Sequence, residues 1–112
     1  MTKHINRKLL IYVAGPYTSP DPVKNTKRAI EAGLEIAEKG YAVFIPHLNI
    51  LWDLVSCKDY EFILEQDLEV VTRCDAIFRL KGYSLGADRE VRRAQEFCIP
   101  VLFEEYGDME VF

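Results

Sequence analysis

A three-layer α/β domain around a mainly parallel sheet of four or five strands is the fold this sequence predicts. Short apolar runs closed by glycine or proline alternate with longer segments of helical spacing. The runs are nearly continuous rather than alternating, as in strands covered by helices on both faces. A chain of 112 residues also matches the usual size of one domain, residues 1–112.

The elements follow in order. "KLLIYVAG" (8–15) reads as a strand buried on both faces. "DPVKNTKRAIEAGLEIAEKG" (21–40) reads as a helix, with Asp21 as cap, Pro22 in the first turn and Gly40 at the end. Ile30, Leu34 and Ala37 mark its expected core face. "YAVFIP" (41–46) is a second buried strand, stopped by Pro46, and residues 47–57 read either as a loop or as a short helix. From Asp59 the spacing predicts a second helix through Arg73, with Phe62, Leu64, Leu68 and Val71 in the core. "DAIFRL" (75–80) is a third strand, "ADREVRRAQEF" (87–97) a third helix and "IPVLFE" (99–104) a fourth strand before a short acidic tail. Strand alternating with helix implies right-handed crossovers, in a flavodoxin- or Rossmann-like sandwich.

Composition excludes several classes. A hydrophobic share of 49% is too high for a disordered chain. The net charge of −4 gives no basic footprint for a nucleic acid polymer. No apolar run reaches the roughly 20 residues that span a bilayer, and "MTKHINRKLL" lacks the apolar core of a signal peptide. Cys57, Cys74 and Cys98 have no paired spacing, which suggests reduced thiols in a cytoplasm, with Cys74 and Cys98 packed as small hydrophobes. His4 and His47 match no zinc-ligand spacing, and neither a metal nor an organic cofactor is expected.

Ligands on such sheets bind outside the carboxyl ends of the strands. That rule gathers "AGPYTS", "PHLN" and "KGYSLG" with whatever the second helix presents. Glu90 is expected in the first turn of the third helix, where the helix dipole favours an anion; it reads as an ionised nucleophile or as a surface partner of Arg93. Asp67 stands between Leu64 and Leu68 despite poor helix propensity, and two carboxylates near one sugar are what glycosidic cleavage needs. Ser84 and Gly86, placed just before the third helix, offer a hydroxyl and backbone N–H groups to a phosphate, or simply cap the helix. Gly15 permits close backbone approach, with hydroxyls from Tyr17, Thr18 and Ser19 beside it, but GxGxxG and GxxxxGK[ST] are both missing. Tyr12 reads as a core tyrosine seeking a partner for its hydroxyl, and His47 as a loop residue. Arg89, Arg92 and Arg93 form a basic cluster able to meet one small anion.

"IYVAGPYTS", "DYEFILEQDLEVVTRCDAIF" and "SLGADREVRRAQEFCIPVLF" together resemble the nucleoside 2-deoxyribosyltransferase superfamily over about residues 9–103. The likeness is nearest to its 2'-deoxynucleoside 5'-phosphate N-hydrolase branch and related small phage and bacterial proteins. It implies Glu90 as nucleophile, Asp67 engaging the sugar and assisting the leaving base, and Tyr12 as the early tyrosine of the site. It also implies sugar or phosphate contacts from Ser84, Gly86 and the loop from Gly15 through Thr18, and His47 lining the base pocket. The hydrolase loop usually carries an arginine where this chain has "PYTS", for which Arg89 or Arg92 stand as substitutes. Members borrow a residue from a neighbouring subunit, so the resemblance implies a homo-oligomer acting on a small nucleotide or nucleoside. Two other outcomes stay open: transfer of deoxyribose between bases, and a nucleotide-binding module that has lost catalysis.

Overall fold

A computed structural model describes residues 7–112; His4, among the first six, is outside the described residues. The four strands form one parallel sheet in the order β2-β1-β3-β4. β1 (Leu10–Ala14) and β3 (Ala76–Arg79) are central, while β2 (Ala42–Phe44) and β4 (Val101–Phe103) are the edges. β1 pairs with β3 through Tyr12↔Ile77 and Ala14↔Arg79. Among the described residues the strand count is four.

Alternation along the central strands divides the core in two. Ile11, Val13, Phe78 and Leu80 face α1 (Pro22–Glu38), whose Ala29, Ala32 and Ile36 pack on them with Phe112 and Met109 of the C-terminal 3-10 turns. Tyr12, Ala14 and Ile77 face α2 (Tyr60–Val71) and α3 (Leu85–Glu96), meeting Val71, Ala87 and Ala94. Apolar strands covered on both sides are what a parallel sheet requires. Among the described residues no helix is long and apolar enough to cross a membrane.

Several expectations need correction. The buried face of α1 is Asn25, Ala29, Ala32, Gly33 and Ile36, whereas Leu34 is 56% exposed. Small residues let the helix sit close to the sheet, so the larger Leu34 turns outward. Phe62 is exposed and stacks edge-on with Trp52 instead of entering the core. β2 and β4 are half-buried, as edge strands are, and residues Pro46–Leu54 coil as a 3-10 helix. Cys98 is exposed past the end of α3, while Cys74 is buried as expected. α3 begins at Leu85, capped by Ser84, so Gly86 lies inside its first turn.

The reassigned face of α1 is testable. Ile36→Ala empties a fully buried site and should destabilise the fold by about 2–5 kcal/mol. Leu34→Ala should stay within about 0.5 kcal/mol. Denaturant titrations of both variants measure the contrast, and equal losses would restore the face expected from hydrophobicity.

Candidate active site

The C-terminal ends of β1 and β3 open into a cavity of about 510 Å³. Of the nine residues singled out in the sequence, eight line it: Gly15, Tyr17, Thr18, His47, Asp67, Ser84, Gly86 and Glu90. Tyr12 lies behind the wall. It is 0% exposed, and its hydroxyl donates to Glu90 Oε2 at 2.6 Å. Tyr12 therefore positions a carboxylate and does not line the cavity.

Glu90 is the sixth residue of α3, in its second turn rather than its first, because the helix starts two residues early. The dipole effect fades within one turn, so Tyr12 and burial govern this carboxyl instead. Arg93 pairs with Glu96 at 3.4 Å and leaves Glu90 to the cavity. At 5% exposure, Glu90 has its pKa raised to about 8 by desolvation, with the neighbouring charge of Asp67 adding and Tyr12 and Arg79 opposing. Burial thus favours the protonated carboxyl and works against the ionised Glu90 expected from the sequence.

Asp67 occupies the third turn of α2, buried beside Leu64 and Leu68. Asn49, in the 3-10 segment after β2, donates a short hydrogen bond to its Oδ1. Burial raises the Asp67 carboxyl to about 7, and the bond from Asn49 works against that rise. Two neighbouring carboxyls with raised pKa values form a candidate acid and base pair.

The loop after β1 is fixed from below. Asn25 of α1, itself buried, donates to the carbonyls of Tyr17 at 3.0 Å and Ser19 at 2.8 Å. His47 contributes a second tie, with Nε2 donating to the Pro16 carbonyl at 2.9 Å, and its ring meets Tyr17 edge-on. Burial lowers the His47 pKa and favours the neutral ring, whose Nδ1 has no partner among the described residues. Gly15 must be small, since a Cβ there would come within 2.9 Å of Leu80. A Cβ at Gly86 would fall 2.5 Å from the Tyr60 hydroxyl oxygen, the tip of an exposed side chain that can swing aside.

Ser84 serves the helix first, its Oγ accepting from Ala87 N at 3.0 Å. The arginines expected to meet an anion point elsewhere. Arg89 pairs with Glu61 at 3.0 Å, and neither it nor Arg92 lines the cavity. Lys58 is the lining cation among the described residues. Lys58 and Asn25 have no mark in the sequence reading, while Asn49 is gathered there in "PHLN" without a role of its own. Asn49 alone had a signal there, as a polar residue inside the apolar run "LNILW".

The family described as a domain of unknown function (DUF4406) matches residues 9–103, and the chain belongs to it. Among solved structures, a 2-deoxyribosyltransferase from Bacillus psychrosaccharolyticus is 25% identical, with a TM-score of 0.65 over 84% of this chain and 70% of that one. A conserved protein from Enterococcus faecalis V583 is 24% identical, with a TM-score of 0.71 over 86% of this chain and 62% of that one. A 2-desoxiribosyltransferase from Leishmania mexicana is 22% identical, with a TM-score of 0.63 over 85% and 63%. The chain therefore spans less than two thirds of the last two, and these two likenesses speak for the fold alone. No curated protein matches the chain. The fold is the flavodoxin-like one of the 2-deoxyribosyltransferases.

The buried carboxyl makes stability depend on pH. Because the folded-state pKa of Glu90 is raised, its stabilising contribution is complete below the ordinary value of 4.5 and is lost as pH rises through about 8. Glu90→Gln removes that loss. The variant should gain on the parent protein between about pH 4.5 and 9, on the order of a few kcal/mol at about 1.4 kcal/mol per unit. Urea melts at the two pH values test this, and an unchanged difference would mean the carboxyl is not desolvated.

Proposed function

We propose that the chain cleaves the N-glycosidic bond of a 2'-deoxynucleoside 5'-monophosphate, releasing free base and deoxyribose 5-phosphate. The observation that carries this reading is the pair Glu90 and Asp67, two buried carboxyls on one cavity, with Tyr12 bonded behind the first. Tyr12 holds Oε2 of Glu90, which leaves Oε1 to attack C1'. As that bond forms, the C1'–N bond breaks and its electron pair goes to the base, which takes the proton of Asp67. Asp67 then removes a proton from water, the oxygen attacks C1', and Glu90 is released. Asn49 holds one oxygen of Asp67 and leaves the other for this exchange. The start of α3 and Lys58 are the places where a 5'-phosphate would meet N–H groups and positive charge.

A second reading has equal support from the 2-deoxyribosyltransferase likeness: a second base captures the sugar in place of water. A binding module is disfavoured, since a pure binder gains nothing from burying two carboxyls against a sugar. We also take residues 1–112 as one domain that works as a homo-oligomer. Exposed Ile50, Leu51, Leu54 and Val55 beside the cavity support a covering neighbour. Three free cysteines fit a reducing, cytoplasmic setting.

Deoxynucleosides and their 5'-monophosphates, incubated with and without an acceptor base and resolved by chromatography, separate the two readings. Glu90→Gln should lower turnover by at least about 10³-fold, and Asp67→Asn should lower it less cleanly. For the parent protein kcat/KM should follow a bell with its top between about pH 7 and 8, because the step needs Glu90 ionised and Asp67 still protonated. Undiminished base release by Glu90→Gln would remove Glu90 from the mechanism.

A further inference from the structure

The last residue of β3 is charged. Arg79 is buried at the end of an otherwise apolar strand, although arginine is rarely buried without partners. Its Nη1 donates to the Leu80 carbonyl, and Nη2 donates to the Gly82 carbonyl at 3.0 Å and to Asp88 Oδ1 at 2.9 Å. From the α1 side, Arg28 donates to the Lys81 carbonyl at 3.1 Å, while Glu104 accepts from Lys81 N at 2.8 Å and from Arg28 at 2.7 Å. Three consecutive carbonyls, 80 to 82, thus accept from guanidinium groups. The next four residues, Tyr83 to Gly86, line the cavity.

We infer that Arg79 is a positioning residue of this site, tying the 80–82 turn to the start of α3 and placing a buried positive charge behind Glu90. Its consequence for turnover rests on the function proposed above. A cation beside a helix N-terminus is unfavourable for the helix itself, so packing alone gives no reason for it. A neutral donor could serve the Leu80 and Gly82 carbonyls without bringing a buried charge. What the charge does serve is the carboxyl two residues beyond Asp88. Arg79 follows Ile77 on the face of the sheet that carries Tyr12, and Tyr12 is bonded to Glu90. The titratable and charged groups around Glu90 are Tyr12 from β1, Tyr60 and Asp67 from α2, and Arg79 from β3. Arg79 is the one cation among them, and it favours the ionised glutamate that attack requires. Asp88, half-exposed, tempers that charge without burying a second anion.

The test reads the Glu90 carboxyl directly. The full chain, labelled with carboxyl-13C glutamate, is titrated by NMR, with the resonance assigned through Glu90→Gln. Arg79→Met should raise the Glu90 titration midpoint by about one pH unit or more. Asp88→Asn, which leaves Arg79 less neutralised, should lower it. Arg79→Lys keeps the charge but loses the fork, so the midpoint should stay near the parent value while amides 80–86 exchange faster. Where base release is observed, Arg79→Met should cut kcat/KM at about pH 7 roughly tenfold for each pH unit by which the midpoint rises. Unmoved midpoints in both Arg79→Met and Asp88→Asn overturn the inference, and Asp88→Asn alone decides it if Arg79→Met does not fold. A raised midpoint in a chain that releases no base would sink the proposed function and leave Arg79's role standing.

Discussion

The hydrogen bond from Tyr12 to Glu90 is the constraint on which the rest of this structure depends. It joins the centre of β1 to the second turn of α3 across 78 residues of sequence, with the phenol fully buried and the carboxyl nearly so. A buried phenol needs an acceptor and a buried carboxyl needs a donor, and each is the other's partner. The bond therefore fixes where α3 lies on the sheet, with Ala87 and Ala94 small enough to permit the approach. Packing and chemistry share a single group here. Removing the phenol would leave a desolvated carboxyl without its donor.

The buried polar side chains extend the same logic. Among the described residues they are Asn25, His47, Asp67, Arg79 and Glu90, and each lines the cavity or holds a segment that does. None sits at the opposite end of the sheet. With order β2-β1-β3-β4, the chain crosses from β1 to β2 on one side and then from β2 past β1 to β3 on the other, and the crevice outside β1 and β3 is where such sheets bind ligands. Loops there need backbone partners that no strand supplies. Asn25, His47, Arg28 and Arg79 provide them from side chains.

How much of this was legible in the sequence is decided by the same physics. β1 and β3 could be read because strands buried on both faces leave uninterrupted apolar runs, and the parallel order followed from alternation with helices. The face of α1 was misread because hydrophobicity favours Leu34, while close approach to a sheet favours Ala29, Ala32 and Gly33. Eight of the nine candidate site residues share one cavity, since chain order and strand ends largely dictate that gathering. A helix read from residue 87 starts two residues late, although Ser84 is also read as its possible cap, and the earlier start displaces the electrostatic argument for Glu90 from the dipole to Tyr12. Asn49 and Arg79 act through partners that local pattern does not reveal, Asp67 and the 80–82 turn with Asp88.

The raised carboxyls also bear on the choice between water and base as acceptor. In the proposed reaction, once the first base has gone, both outcomes would start from the same sugar ester on Glu90 and would need the same deprotonation by Asp67. The residues that would do the chemistry are thus indifferent to the product. Selection falls to access at the mouth, where Ile50, Tyr83 and Leu85 line the cavity yet stand 45%, 78% and 65% exposed. Apolar side chains so placed are costly to leave wet and well suited to covering. A covered mouth keeps water from the ester long enough for a second base to arrive, whereas an open one delivers water at once. On the proposed function, the surface that a neighbouring copy would cover is therefore also the one that would choose between hydrolysis and transfer.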